Sequence, residues 1–213
     1  MPCPLCQHAS AQALSTSDKK YYKCPRCWLI YMDRAFHPDP KAEKERYEEH
    51  NNDLNDPGYV AFLHQVIDPA LPYLHKDMHL LDYGSGPNPV LSQLLKIQGF
   101  SCDNYDPFFC KVPLTKKYDG IFCVETMEHF FEPQKEIERL TTLLTSGGFL
   151  FVMTLLWTDV KRFANWFYRP DLTHVCFYHA RTFDFIAKKY GFIIKYTDRK
   201  RVFVVQKDIG RME

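Results

Sequence analysis

A chain of 213 residues is long enough for one sizeable core plus a small appendage. With 46% hydrophobic and 25% charged residues it has an ordinary globular composition, and a formal net charge of +1 excludes a global electrostatic pull toward nucleic acid or membrane. No apolar run approaches the about 18–20 residues that span a bilayer, and the start Met1-Pro2-Cys3-Pro4 has neither a basic n-region nor an apolar h-region. The expectation is a cytoplasmic protein with no signal peptide and no membrane partner.

In chain order, residues 1–37 read as a small unit of their own. Cys3 and Cys6, then seventeen residues, then Cys24 and Cys27 make two C-x2-C pairs, the spacing of a zinc ribbon. Each pair forms a tight knuckle that presents two thiolates to one tetrahedral ion, and metal would supply the folding energy that so short a unit cannot obtain from its core. A disulfide pair or idle thiols are the alternatives. Residues 21–23 and 28–32 read as strands flanking the second knuckle. Cys102, Cys110, Cys123 and Cys176 are scattered in apolar company and read as core thiols.

Residues 38–76 read as a helical connector: a charged helix over 41–50, a turn-rich stretch over 51–58, then apolar residues at helical spacing over 59–74, broken by Pro69 and Pro72. Tyr47, His50 and Tyr59 either cap a ligand or pack this bridge onto the next segment.

Residues 77–213 alternate strand and helix, the pattern of a layered α/β sheet. Strands are expected at 78–83, 101–105, 120–124 and 149–153, helices at 89–98, 133–144 and 182–190, and a terminal hairpin at 193–196 and 202–206. Pro89 suits a first helical turn, Gly147-Gly148 ends the 133–144 helix, and Thr182 is the expected N-cap of the last helix. Leu80-Leu81-Asp82-Tyr83-Gly84-Ser85-Gly86-Pro87 reads as a buried strand entering a glycine-spaced turn, where an open α/β sheet binds a nucleotide-like cofactor. An acidic residue follows about twenty positions on, at Asp106.

The succession of Leu81-Asp82-Tyr83-Gly84-Ser85-Gly86, Asp106, Tyr118-Asp119-Gly120-Ile121 with Glu125-Thr126-Met127-Glu128-His129, and Leu144-Thr145-Ser146-Gly147-Gly148-Phe149-Leu150 resembles the class I S-adenosylmethionine-dependent methyltransferases over about residues 77–206. The resemblance implies a Rossmann-like, doubly wound α/β sheet ending in an antiparallel hairpin. It implies that Gly84, Ser85 and Gly86, with neighbouring Tyr83, hold the methionine end of the cofactor. Asp82 would support that turn or the cofactor's amino group, and Asp106 would accept from both ribose hydroxyls beside Pro107.

The chain departs from the family pattern in two places. Asn88 replaces the third glycine of the usual D-x-G-x-G-x-G, and Asn tolerates a left-handed backbone. Tyr118 follows Asp106 by only twelve positions, too few for a helix, a strand and a second helix, so the third family strand is expected to be short or missing. Phe108 and Phe109 could then contact the adenine.

Glu125, Glu128 and His129 follow the strand at 120–124 as E-x-x-E-H and could share a face at a helix start. Similar spacing marks the divalent-metal site of some O-methyltransferases, which a later histidine completes; His174 could do so here. A second divalent ion would acidify a bound hydroxyl. Without metal, the E-H pair is a helix N-terminal acid with a packing histidine. Either way Glu125, Glu128, His129 and His174 are the acceptor-side candidates for catalysis. Trp157, Trp166, Phe167 and Tyr168 either wall the acceptor pocket or pack the core.

The expected activity is methyl transfer to an O or N atom, with a small molecule as acceptor. The zinc ribbon keeps open an RNA or protein substrate, or a non-catalytic interaction protein on a degenerate methyltransferase fold.

Overall fold

The computed structural model describes residues 2–49 and 52–210; His50 lies outside them. The N-terminal unit contains β1 (Gln12–Leu14), β2 (Tyr21–Lys23) and β3 (Ile30–Met32), paired antiparallel in that order. The two Cys pairs make equivalent knuckles. Gln7 and Trp28, each one residue past its pair, take left-handed backbones at φ 56° and 62° and donate their N–H to the carbonyls of Cys3 and Cys24. The strand β1 has no clear sequence signal, because its side chains are largely exposed.

The connector folds as α1 (Pro40–Glu48) and α2 (Pro57–Ala70). Asp39 and Asp56 cap them, each with proline at the following position, a strong helix start. Pro69 falls in the last turn of α2 without breaking it, and Pro72 lies in the 3-10 turn that follows.

The main sheet consists of β4 (His79–Tyr83), β5 (Ser101–Tyr105), β6 (Tyr118–Val124), β7 (Leu144–Met153), β9 (Phe192–Thr197) and β10 (Val202–Lys207), in the order β5-β4-β6-β7-β10-β9. The first four are parallel, and β10 runs antiparallel between β7 and β9. This is the Rossmann-like sheet with its terminal hairpin. Its edge at β5 is where the missing third strand would lie: between β5 and β6 only an isolated bridge joins Asp106 and Cys110.

Successive residues of the central strands point to opposite faces. On one face Leu80, Phe122, Phe151 and Val204 pack under α2 and α3 (Val90–Ile97); on the other, Leu81, Ile121, Val152 and Phe203 pack under α4 (Pro133–Leu143) and α5 (Ala180–Tyr190). Three boundaries differ from the sequence expectation. The strand β7 begins at Leu144, so Gly147 and Gly148 lie inside it rather than ending α4. His179, not Thr182, caps α5; Thr182 sits at the third helical position and returns its hydroxyl to the His179 N–H, a capping box. Pro89 is the N-cap of α3 and gives it no side-chain bond.

The ribbon does not stand apart. A two-residue strand β8 (Cys176–Phe177) pairs antiparallel with β3, placing Ile30 opposite Phe177 and Tyr31 opposite Cys176. Leu5, Leu29 and Ile30 belong to the same buried cluster as Ile121, Val152 and Phe203. Arg169, 8% exposed, clamps Asp18 of the ribbon with Nη1 2.7 and 2.8 Å from its two carboxylate oxygens. Among the described residues no helix is long and apolar enough to cross a membrane.

Candidate functional site

A cavity of about 590 Å³ opens at the carboxyl edge of β4, β5 and β6 and is covered by α1 and α2. Its floor is the turn after β4. Gly84 (φ +84°) and Ser85 both donate their N–H to the Tyr105 carbonyl, at 2.8 and 3.1 Å, which folds the turn back against β5. A Cβ on Gly84 would lie 2.3 Å from Thr126 Cγ2, so only glycine fits. Gly86 (φ +66°) has nothing within 4 Å of the corresponding point, which leaves its backbone open to a ligand. The Ser85 hydroxyl is buried without a hydrogen-bond partner among the described residues.

Two aspartates brace this turn. Asp82, wholly buried, accepts from the backbone N–H of Ser92 and so caps α3 from the neighbouring strand; burial pushes its carboxyl up to about 7. Asp106 accepts from the Gly86 N–H at 3.0 Å with one oxygen and from the Phe108 and Phe109 N–H groups at 2.8 and 3.1 Å with the other. The two oxygens that the sequence assigns to ribose thus already order the loop, and only the one that takes the Gly86 N–H keeps a lone pair left over. Tyr47, Tyr59, Tyr83, Pro107 and Phe108 line the cavity, whereas Phe109 does not. Tyr83 donates its hydroxyl to Glu136, and Arg139 lies over the Tyr105 ring at 4.7 Å. Asn88 does not take a left-handed backbone; its amide instead donates to the Asn52 carbonyl and ties α3 to the connector.

The opposite wall carries the histidines. His129 Nδ1 lies 3.0 Å from the Thr173 carbonyl and His174 Nδ1 2.8 Å from the Tyr168 carbonyl. A carbonyl only accepts, so in the neutral rings the proton sits on Nδ1 and the lone pair on Nε2. The rings meet edge to face at 4.9 Å, and Tyr47 packs on His129 at 5.2 Å. Glu125 ends β6 with a left-handed backbone (φ 47°), and Glu128 lies in the 3-10 turn Met127–His129, so these residues converge before α4 rather than at its start. Tyr168 offers its hydroxyl to both carboxyls. Burial, followed by the neighbouring Glu125, pushes the Glu128 carboxyl well above the carboxylate range, and burial raises Glu125 as well. One oxygen of Glu128 and one ring nitrogen of each histidine come within 4.8 Å of one another, a set that could hold a cation; Glu125 is outside it.

Sequence reasoning misses the fastening of α1. Arg46 reaches from α1 to Asp171, with Nε at 3.0 Å and Nη2 at 2.7 Å from one carboxylate oxygen, while Thr173 donates its backbone N–H and hydroxyl to the other. These bonds hold the Asp171 carboxyl well below its usual range despite its burial, which acts the other way. An arginine 125 residues away in sequence gives no local signal. The aromatic wall expected from Trp157, Trp166, Phe167 and Tyr168 is not there. None lines the cavity: Trp157 stacks on Trp28 of the ribbon at 5.8 Å, Trp166 packs on Phe163 and Phe177, and Phe167 is 76% exposed.

The lining of the cavity holds seven carboxylates against one arginine. It therefore suits a cationic ligand, such as a sulfonium with an ammonium group, and disfavours a pyrophosphate-bearing dinucleotide. The four thiols of the ribbon fit zinc. All four sulfurs lie within 4.8 Å of one another, Cys3 to Cys27 and Cys6 to Cys24 are each at 3.5 Å, and none is disulfide-bonded. A tetrahedron with Zn–S bonds of about 2.3 Å has edges of about 3.8 Å.

Among solved structures, the fold is similar to a Bacillus halodurans C-125 protein assigned as a methyltransferase (11% identity, TM-score 0.51, covering 70% of this chain and 99% of that one). It is equally similar to an O-methyltransferase family protein from Burkholderia thailandensis (13% identity, TM-score 0.51), covering 83% of this chain and 64% of that one. It is also similar to the [4+2]-cyclase SpnF (14% identity, TM-score 0.50), covering 75% of this chain and 86% of that one. No curated protein matches the chain by sequence. The methyltransferase domain family matches residues 52–195. The chain belongs to that family of enzymes, and S-adenosylmethionine is the cofactor the family implies.

Proposed function

We propose that this chain transfers a methyl group from S-adenosylmethionine to an O or N atom of a small-molecule acceptor. The observation that carries the reading is the juxtaposition, in one acidic cavity, of the Gly84–Gly86 turn and the paired imidazoles of His129 and His174. When bound, S-adenosylmethionine supplies an electrophilic methyl group. The open backbone at Gly86, the Ser85 hydroxyl and Asp82 are suited to its amino-acid end, and Asp106 to its ribose. His129 and His174 are oriented through Nδ1, which makes Nε2 the basic nitrogen of each neutral ring and the atom suited to take the acceptor's proton. Glu125, Glu128 and Tyr168 form a buried layer that holds His174 in place; Tyr168 packs on its ring at 4.2 Å. The Arg46–Asp171 pair keeps α1 over the site and excludes water.

Calorimetric titration with S-adenosylhomocysteine tests this. Micromolar binding lost in Asp106→Ala is expected; no binding by folded, zinc-loaded protein would sink the proposal. The cyclase among the structural relatives is a reminder that this fold can serve other chemistry, so binding must be followed by radiolabelled methyl transfer.

A divalent cation held by Glu128, His129 and His174 is a second reading. Their mutual approach favours it, and the complete burial of Glu128 opposes it. More than one tightly bound metal per chain by elemental analysis would support it. RNA retention that falls steeply with salt would redirect the acceptor assignment from small molecules to RNA.

A further inference from the structure

A second cavity, of about 380 Å³, lies between the ribbon and the main fold. Phe131 lines both this cavity and the first one, the one residue common to the two linings. The step from His174 to Val175, just before β8, also divides between them: His174 lines the first cavity and Val175 the second. The two spaces differ in charge. The first is rich in carboxylates, whereas the second has none in its lining and carries Arg34 and His37.

Both basic groups have capacity to spare. Arg34 is exposed at the start of a 3-10 turn, Arg34–Phe36. Its neighbour Asp33 is engaged elsewhere, with one oxygen accepting from the Ala35 N–H at 3.1 Å and the other from the Tyr22 hydroxyl at 3.1 Å. Glu132 feels the Arg34 charge but pairs with Lys135 at 2.9 Å. The His37 ring bonds the Met32 backbone, packs at a tilt against Phe131 at 4.6 Å, and leaves a buried Nε2 without a hydrogen-bond partner among the described residues. Pro2, Pro4 and Phe131 supply apolar walls. In the neutral ring that Nε2 is an acceptor, so an anion here falls to Arg34 alone: an apolar cavity with one guanidinium and no carboxylate in its lining is a recognition site for an aryl or alkyl group ending in an anion.

We infer that this ribbon cavity receives the distal, anionic end of the methyl acceptor, a carboxylate or phosphate held by Arg34, while the acceptor's reactive end passes Phe131 to reach His129 and His174. The inference rests on the methyltransferase reading and gives the ribbon a part in choosing the substrate.

The test uses the full, zinc-loaded chain saturated with S-adenosylhomocysteine. Benzoate, phenyl phosphate and neutral benzamide are titrated as probes by ligand-observed NMR and calorimetry. At least one anion is expected to bind tenfold or more tightly than benzamide, and the stronger of the two identifies carboxylate or phosphate. Arg34→Gln is expected to erase that preference and Arg34→Lys to keep part of it, with S-adenosylhomocysteine affinity within twofold and the melting temperature unchanged. Equal binding of all three probes, no binding at millimolar concentration, or an anion preference that survives Arg34→Gln overturns the inference while the methyltransferase reading stands. Failure to bind S-adenosylhomocysteine overturns that reading, and the acceptor assignment with it.

Discussion

Gly84 and Gly86 both take left-handed backbones two residues apart, yet substituting them should do different things. An alanine at either position carries a backbone penalty of roughly 1–2 kcal/mol. At Gly84 the new Cβ also lands 2.3 Å from Thr126 Cγ2, 2.5 Å from its Oγ1 and 3.0 Å from its Cβ. Thr126 cannot swing clear, because its hydroxyl donates to the Val124 carbonyl at 3.0 Å. Overpacking of this kind costs about 1–3 kcal/mol, so Gly84→Ala should lose roughly 2–5 kcal/mol in all. For a chain of this size that lowers Tm by roughly 4–20 °C. Gly86→Ala should lose only the backbone penalty, since nothing lies within 4 Å of its Cβ position. That Cβ points into open space at the cavity, however, and should cost S-adenosylhomocysteine affinity tenfold or more. Thermal melts and calorimetry on both variants give the comparison. Adding Thr126→Gly to Gly84→Ala should recover the overpacking share. Equal melting of the two single variants, or no recovery in the double, would refute the reasoning from turn geometry.

The other predictions use different parts of the structure. Removing zinc with a chelator, or replacing Cys24 with Ser, should release one metal per chain and lower the single melting transition of the whole protein, because the ribbon and the sheet share a core; a ribbon transition separate from the main one would contradict this. Asp82 gives a pH dependence in the ligand-free protein. Below about 4 its carboxyl is protonated both folded and unfolded. Between the ordinary 3.8 and about 7 the unfolded chain ionises while the folded chain keeps the proton, so stability falls as pH rises; above 7 both are ionised and the loss is constant. The slope is at most about 1.4 kcal/mol per pH unit, and Asp82→Asn should flatten this part of the Tm profile. His129→Ala and His174→Ala should each lower methyl transfer a hundredfold or more with S-adenosylhomocysteine affinity within threefold; loss of binding instead would make them positioning residues for the cofactor. Asp171→Asn should weaken the hold of Arg46 on α1 and speed S-adenosylhomocysteine release severalfold by stopped-flow fluorescence, with Tm lowered by only a few degrees.

What the sequence made legible was local. The buried strand into Gly84, the acid at Asp106, the two Cys pairs and the short interval to Tyr118 each follow from neighbouring residues, and the sheet order and missing third strand agree with them. What it hid was long-range. The two residues of β8 are too few to carry a period, and they form a strand only because β3 supplies the partner. Arg46 and Asp171, or Arg169 and Asp18, are ordinary surface charges until the fold brings them together across 125 and 151 positions. Trp157 and Trp166 misled because a cluster of aromatics beside a predicted pocket reads the same whether it lines the pocket or glues the ribbon to its back.

The route of the chain through β8 gives the four-cysteine unit a part in building this site. Loss of the third strand and its helices leaves the sheet narrow at the β5 edge, and the long segment between β7 and α5 must be ordered by something else. The ribbon does this. The Cys24–Cys27 knuckle leads directly into β3; the Met32 N–H donates to the Val175 carbonyl at 2.8 Å, and the Val175 N–H donates to the Glu128 carbonyl at 2.9 Å. Val175 is thus held between the ribbon and the 3-10 turn that carries His129, and His174 is the residue before it. On this connectivity the thiolate cluster fixes the separation of the two proposed acceptor-side histidines. Metal loss should therefore reduce methyl transfer more than it reduces S-adenosylhomocysteine binding, since the Gly84–Gly86 turn is braced by β5 and α3 on the far side of the cavity.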